Sequence, residues 1–245
     1  MKFSDIANIR LAGQQISGTQ HTSAGELLQW MGAMQAQDYA MATWAVGVRL
    51  TNTTLQHIES AINEGEILRT HLMRPTWHFV SSADIDWMLD LTSPQIKSSM
   101  KSRNKQLELT DALIAKSNRV ISKVLEDGRH STREELITAL NKSKIPTDEN
   151  RASHLFMCAE LDKVICSGSL KSNKQTFALF DKRVKKRPAL HREEAITKLA
   201  AKYFQSHCPA TLQDFIWWSG LSAKDAKSGL ENNKNGLISE TTVVR

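Results

Sequence analysis

Residues 110–126 read TDALIAKSNRVISKVLE, and their apolar residues recur three, four or seven positions apart. This spacing predicts a helix with one apolar stripe, which ends at Gly128. Residues 131–140 (STREELITAL) begin with two N-cap candidates, each followed three positions later by a glutamate, so they indicate a short capped helix. A further apolar stripe, in residues 149–165 (ENRASHLFMCAELDKVI), predicts a third helix.

Residues 167–180 (SGSLKSNKQTFALF) alternate around a polar tip that contains two lysines, a pattern typical of a β-hairpin. Three helices cannot cover such a hairpin, so we expect it to project as a wing. Helix, capped helix, helix and hairpin in this order are typical of a winged helix, and they indicate nucleic-acid binding.

The same order of elements begins again at His191 and, more loosely, at Ser4. We therefore expect a mainly α chain with small β-hairpins, organised as tandem winged-helix (helix-turn-helix) units. The expected units are residues 1–96, residues 97–187 and residues 188–245. Polar, basic linkers are expected at residues 97–108 and 182–188. Since only Leu237–Val244 remains for the wing of the last unit, we expect that unit to be incomplete, with a single strand.

In the first unit, the wing is expected over Glu66–Ser81, with its turn at Pro75. The apolar positions that mark the first and third helices of this unit are Ile6, Ile9, Ile16, Met41, Trp44 and Val48. We expect the tryptophans with apolar neighbours to pack in the core rather than to serve as base-stacking platforms. The residues concerned are Trp30, Trp44, Trp87, Trp217 and Trp218.

Charge is distributed unevenly along the chain, although the formal net charge is only +6. Lys and Arg number 5 against 9 Asp and Glu in residues 1–96, 20 against 11 in residues 97–187, and 7 against 6 in residues 188–245. The excess in the middle favours a polyanionic partner there. Lysines kept for solubility would produce the same excess.

Several classes of chemistry lack their usual sequence motifs. The eight histidines are scattered, and no HxxxH, CxxC, P-loop, GxGxxG or GxSxG pattern occurs, so we expect neither a metal site nor a cofactor. The three cysteines form no paired pattern, and no signal peptide or membrane-spanning run is evident. We therefore expect a cytoplasmic protein without a membrane partner, and the sequence assigns no oligomeric state.

The motif most suggestive of chemistry is Gln35-Ala36-Gln37. Residues two apart point away from each other on a helix but share a face in an extended segment. The two glutamines can therefore act together only if the preceding helix ends here. Their carbonyl oxygens would then hold a water while their NH2 groups grip phosphate or sugar. Solvated glutamines at a helix end are the alternative interpretation.

The runs LLQWMGAMQAQDY (27–39) and LRTHLMRPTWHFV (68–80), followed by a basic winged helix, resemble the winged-helix DNA-binding family that contains the AlkZ-type DNA glycosylases, which unhook interstrand crosslinks. The resemblance implies tandem winged helices around a DNA-binding cleft, with Gln35 and Gln37 as the catalytic pair. In another branch of the family the second position is Asp, so Gln37 places this chain nearer the Gln-x-Gln branch. Family members also carry a C-terminal β-barrel, which we expect this chain to lack.

Neutral amides suit this chemistry because a guanine alkylated at N7 is cationic and departs as a neutral base without a general acid. What remains is to orient water toward the sugar carbon and to stabilise an oxocarbenium-like transition state. The preferred hypothesis is a DNA glycosylase that acts on bulky or crosslinked N7-alkylguanine in double-stranded DNA. The alternatives are a non-catalytic DNA-binding protein or transcription regulator, and a protein-interaction module.

Further residues are candidates for supporting roles. A nearby anion could help the glutamines, and polar residues that alternate along the first wing could meet phosphates or line the same cleft. These supporting candidates are Asp38, His71, Arg74 and His78. Basic residues at helix ends and at the second wing tip are expected to contact the DNA backbone. They are Arg129, Arg133, Arg151, Lys171 and Lys174.

Overall fold

The computed structural model describes residues 2–240, and within them the chain is mainly α with small antiparallel sheets, as the sequence predicts. The first elements are α1 (Phe3–Gly13), α2 (Ala24–Met31), β1 (Ala33–Gln35), α3 (Tyr39–Gly47), α4 (Leu55–Glu64), β2 (Ile67–Leu72), β3 (Thr76–Ser81) and α5 (Ile85–Gln106). The next are α6 (Asp111–Leu125), β4 (Ser131–Thr132), α7 (Arg133–Lys142), α8 (Arg151–Leu161), β5 (Ile165–Ser167) and β6 (Thr176–Leu179). The last are α9 (Phe180–Arg183), α10 (Arg192–His207), α11 (Leu212–Ser219) and α12 (Ala223–Asn232). Short 3-10 turns follow α6 and α12.

The first sheet has the strand order β1-β3-β2, and the predicted hairpin over residues 66–81 forms its β2 and β3. Both faces of this sheet are buried. Leu68 and Val80 belong to one core, whereas Ile67 and Phe79 belong to another. A sheet covered on both sides explains why neighbouring apolar residues, such as Phe79 and Val80, occur in this hairpin rather than a strict apolar–polar alternation.

The middle segment folds around the stripes that the sequence predicts. Ile121 and Leu125 of α6 are fully buried, and the side chain of Thr132 caps α7 in a capping box with Glu135. Its sheet has the order β4-β6-β5. These features arise from residues a few positions apart, which is why sequence alone predicts them.

The second hairpin does not project as the free wing that the sequence predicts. The backbone N–H of Leu170 donates to Asn63 Oδ1 at 2.7 Å, and that of Arg69 donates to Ser167 Oγ at 2.8 Å. Both bonds join the hairpin to the first segment of the chain. Only its tip, residues 171–175, is fully exposed.

The linker expected at residues 97–108 is wrong, because helix α5 continues through it to Gln106. Met100 is buried within this stretch, and an amphipathic helix is therefore more favourable there than an extended chain. In the second expected linker, Arg183 donates to the carbonyl oxygens of Asn63 at 2.7 Å and Ile62 at 2.5 Å. These carbonyls lie in the last turn of α4, and although Ile62 also accepts from the N–H of Gly65, the guanidinium helps to cap that helix.

The largest core joins segments that are far apart in sequence. It contains Leu89 of α5 and Leu161 of α8 together with Phe204 of α10 and Phe215 of α11. The expected units therefore pack against one another through a shared apolar interior.

Two tryptophans contradict the expectation of core packing, because Trp44 is 63% and Trp217 is 74% exposed. Met41 and Val48 are also exposed, so the predicted stripe of α3 faces solvent. The small face of α3 packs inward instead, since a Cβ on Gly47 would lie only 3.3 Å from Ile58 Cδ1 of α4. Close approach through small residues thus decides the orientation of this helix.

Other apolar predictions are confirmed in part. Trp87 is buried at 7% exposure, while Trp30 and Trp218 are half-buried. The residues of α1 all remain at least partly exposed. Of the strand expected over Leu237–Val244, Leu237–Glu240 form no strand, and the remainder lies outside the described residues.

Candidate functional site

The Gln-x-Gln segment is not helical, because helix α2 ends at Met31 and the chain then forms strand β1 and a bend. Gly32 has φ 77° and ψ −68°, a backbone conformation that side chains with a Cβ rarely adopt. Strand β1 begins at Ala33, and the N–H of Ala36 continues the pairing by donating to the Trp77 carbonyl at 2.7 Å. The geometry therefore meets the condition under which two glutamines spaced by one residue can act together.

Gln35 and Gln37 are both exposed, whereas Ala36 between them is fully buried. Gln35 ends β1 and Gln37 lies in the bend that follows, while the methyl group of Ala36 packs in the core beside Phe79. Gln37 Oε1 also accepts a hydrogen bond from the N–H of Trp77 at 3.4 Å. The pair is thus accessible to a ligand, and its backbone is anchored to β3.

Strand register places His78 on the same face of the sheet as the glutamines. Gln35 pairs with His78, and His78 pairs with Thr70 on the other side, so these three residues form one cross-strand row. His78 is 2% exposed, and its Nδ1 lies 2.9 Å from the Thr76 carbonyl. Burial lowers the pKa of His78 to about 4, although the hydrogen bond to Thr76 opposes this shift. The imidazole is therefore neutral at physiological pH.

Two threonine hydroxyls add polar groups to this face. Thr70 lies in the row of Gln35, and Thr76 lies two rows further on the same face, where it pairs with Leu72. Both Oγ1 atoms are buried and have no hydrogen-bond partner within residues 2–240. These two hydroxyls therefore retain hydrogen-bonding capacity for an ordered water beneath the glutamines.

His71 lies on the opposite face of the sheet, away from the glutamines. Its ring lies 4.0 Å from that of Trp77, and its Nδ1 lies 2.5 Å from Glu160 Oε2 of α8. Glu160 is fully buried. Burial raises the pKa of its carboxyl, and the hydrogen bond from His71 opposes that shift. His71 thus links α8 to the face of the hairpin that lies opposite the glutamines.

The other supporting candidates occupy the margins of the glutamine segment. Asp38 Oδ1 accepts from the N–H of Met41 at 3.0 Å and caps the N-terminus of α3. Arg74 lies in the β2–β3 turn, with its guanidinium 5.6 Å from the centre of the Trp217 ring. Asp38 therefore fixes where the motif enters α3, and the half-buried Arg74 forms a cation–aromatic pair with the exposed Trp217 of the third segment.

Two of the basic residues expected to contact DNA form ion pairs with acidic side chains of the protein. Arg151 forms ion pairs with Glu108, Asp148 and Glu149, at distances between 3.0 and 3.4 Å. Lys171 lies 2.5 Å from Glu135. Neutralised charges of this kind attract a phosphate less strongly than free ones do.

The remaining basic candidates differ in their availability. Arg133 donates to Ser153 Oγ at 3.1 Å and lies over the ring of Phe156, so it is partly engaged in packing. Arg129 and Lys174 are exposed and form no ion pair within residues 2–240. These two residues are therefore the best placed of the five to meet a phosphate.

Sequence reasoning did not identify Glu160 as the partner of His71 on the opposite face of the sheet. The signal that could have found it is a carboxylate placed among the apolar residues of α8, between Ala159 and Leu161. Buried carboxylates are rare unless they are paired. Its partner could not be identified from sequence, because His71 lies 89 positions away.

In residues 2–240, no group of three or more metal-ligating side chains occurs, and no helix combines the length and apolarity needed to cross a membrane.

A search of curated proteins found no match. Among solved structures, the DNA glycosylase AlkZ of Streptomyces sahachiroi is similar, with a TM-score of 0.78 and 19% sequence identity, over 97% of this chain and 67% of that chain. At this identity the likeness shows a shared fold. The model of the family described as DNA glycosylase AlkZ-like matches residues 28–243. Because that match covers most of the chain, the protein belongs to the AlkZ-like DNA glycosylase family.

Proposed function

We propose that this protein hydrolyses the N-glycosidic bond of bulky or crosslinked N7-alkylguanine in double-stranded DNA, with Gln35 and Gln37 as its catalytic residues. Its family supports a DNA-binding hydrolase of DNA repair. The single observation that carries the finer proposal is the pair of exposed glutamines at the end of β1 and in the bend after it, with Ala36 buried between them.

The pair can orient a water without a strong base. Each amide offers a carbonyl oxygen as acceptor and an NH2 group as donor, so two amides can hold one water and also grip a phosphate or sugar oxygen. An N7-alkylated guanine is already cationic and leaves as a neutral base. Catalysis then depends on placing the water at the sugar carbon and on an environment that tolerates positive charge there.

The neutral state of His78 supports this interpretation. A protonated imidazole in the row of Gln35 would repel both a cationic base and an oxocarbenium-like transition state. Because burial lowers the pKa of His78 to about 4, that repulsion is absent at neutral pH. The polar hydroxyls of Thr70 and Thr76 add hydrogen-bonding capacity without adding charge.

Exposed cations of the middle segment support duplex binding. Arg129 and Lys174 would contribute phosphate contacts, and residues 97–187 carry 20 Lys and Arg against 11 Asp and Glu. Binding that arises from such contacts weakens steeply with salt.

The direct test measures release of N7-methylguanine from a damaged duplex, with the abasic product detected by hot alkali. We expect Gln37→Ala and Gln35→Ala each to lower the single-turnover rate by about a hundredfold or more, since each removes a positioned hydrogen-bonding group. Affinity for undamaged duplex should stay within about threefold, because most of it comes from phosphate contacts. Gln56→Ala, which removes an exposed glutamine of α4, is the matched control and should retain the wild-type rate.

Retention of the wild-type rate in both motif variants would reject the assignment of the catalytic pair. If the wild-type protein bound duplex with a sequence preference but released no base, a DNA-binding regulator would be the better description. Binding that failed to weaken with salt would instead favour a protein-interaction module.

A further inference from the structure

Arg69 of β2 holds the backbone that follows β1. Its Nε donates to the Ala36 carbonyl at 2.9 Å, and its Nη2 donates to the Gln37 carbonyl at 3.2 Å. In a regular strand successive carbonyls point to opposite sides. One guanidinium can reach both here because β1 ends at Gln35 and the chain bends toward α3. The planar fork of Arg69 therefore fixes the bend at which the motif leaves the sheet.

The same side chain is tied to the second hairpin. Its Nη1 donates to Gln175 Oε1, and the backbone N–H of Arg69 donates to Ser167 Oγ. Both partners belong to the hairpin whose exposed tip, residues 171–175, carries Lys174. Arg69 thus connects the glutamine segment to the hairpin that is expected to meet DNA.

The surroundings of Arg69 hold its guanidinium in place and use its donors. The guanidinium carbon lies 4.2 Å from the centre of the Trp77 ring, a cation–aromatic contact. Burial lowers the pKa of Arg69, and the charge of Glu160 opposes that shift. Because Nε, Nη1 and Nη2 all bond within the protein, few donors remain for a phosphate.

We propose that Arg69 is the positioning residue of the Gln35–Gln37 pair, which keeps both amides on one side without touching the reacting atoms. This inference rests on the proposed function of the pair. Without the fork, the bend after β1 would relax and the amides would lose their common direction. A misplacement of about 1 Å is enough to cost on the order of a hundredfold in rate.

The test compares Arg69→Met and Arg69→Lys with the wild-type protein in single-turnover release of N7-methylguanine. We expect Arg69→Met to lower the rate constant by at least about tenfold while the Kd for undamaged duplex changes by less than about threefold. Arg69→Lys should give an intermediate rate, because one ammonium keeps the charge but cannot reproduce the planar fork.

Arg183→Met is a matched control. Arg183 also donates to two carbonyls of the first segment, but these belong to Ile62 and Asn63 at the end of α4. We expect the two methionine variants to lower the unfolding temperature to a similar extent, whereas Arg183→Met should keep the rate within about twofold of wild type. Equal loss of rate in both variants would mean that Arg69 acts only through stability, and the proposal would be rejected.

Two further outcomes are informative. If Arg69 contacts a phosphate, Arg69→Met will raise the Kd and reduce the salt dependence of log Kd by about one contact, with the saturated rate intact. That result overturns the positioning role. If the wild-type protein releases no base, the proposed function fails, and amide hydrogen exchange of residues 33–40 without DNA decides the inference separately. Faster exchange in Arg69→Met than in Arg183→Met supports it, and equal exchange refutes it.

Discussion

His78 makes the stability of this protein depend on pH in a direction that the structure specifies. Its imidazole is 2% exposed, and burial lowers its pKa from 6.5 to about 4. The unfolded chain therefore binds a proton more readily than the folded protein between these two values. The stability that the neutral His78 contributes is fully present above its unfolded pKa of 6.5, and it is lost as the pH falls from 6.5 toward 4.

The size of this effect follows from the shift. Each pKa unit corresponds to about 1.4 kcal/mol, so the full shift corresponds to roughly 3 kcal/mol, of which about 2 kcal/mol is lost by about pH 5. Because partial burial also lowers the pKa of His207 to about 4, the wild-type protein should lose more than this amount. A variant that lacks only His78 isolates the part of this loss in unfolding free energy that comes from His78.

His78→Asn is the appropriate variant, because its side-chain amide nitrogen can take the place of Nδ1 in the bond to the Thr76 carbonyl. Urea unfolding of both proteins, followed at about pH 7.5 and about pH 5, gives the loss in unfolding free energy for each. We expect the variant to lose about 2 kcal/mol less than the wild-type protein. An equal loss in both proteins would refute the assignment of a buried, neutral imidazole beneath Gln35.

The remaining predictions concern the bend before the motif and the DNA contacts. Gly32→Ala should lower the unfolding free energy by about 1 to 3 kcal/mol in thermal or urea denaturation, because residues with a Cβ rarely adopt its combination of φ 77° and ψ −68°. Gly236→Ala should have little effect, since open space surrounds that site. Lys174→Ala should reduce the salt dependence of duplex binding by about one contact, while Arg151→Ala should leave it nearly unchanged because three carboxylates already surround that arginine. Equal salt slopes for these two variants, measured by fluorescence anisotropy, would contradict the assignment of the free cations.

Local features of the fold could be predicted from sequence. The Thr132–Glu135 capping box and the buried positions Ile121 and Leu125 of α6 depend on residues within a few positions of one another. The Gln-x-Gln motif was likewise visible as a pattern. The requirement that its helix break could be stated before the break was seen, because two-residue spacing has different consequences on helices and strands.

Contacts between distant segments could not be predicted in this way. Sequence reasoning placed His71 and His78 together as possible partners of the glutamines, but strand register puts them on opposite faces of one sheet. It also assigned Trp44 and Trp217 to the core, where the approach of neighbouring helices leaves them exposed.

The sequence by itself determined the capped helices of the middle segment and the identity of the motif, because those depend on hydrogen bonds and side-chain spacing within a few residues. Only the tertiary structure decided which side chains surround the motif. Arg69 reaches it across 33 residues, and Glu160 reaches His71 across 89. Such pairs are selected by the packing of whole segments, and no local pattern encodes them.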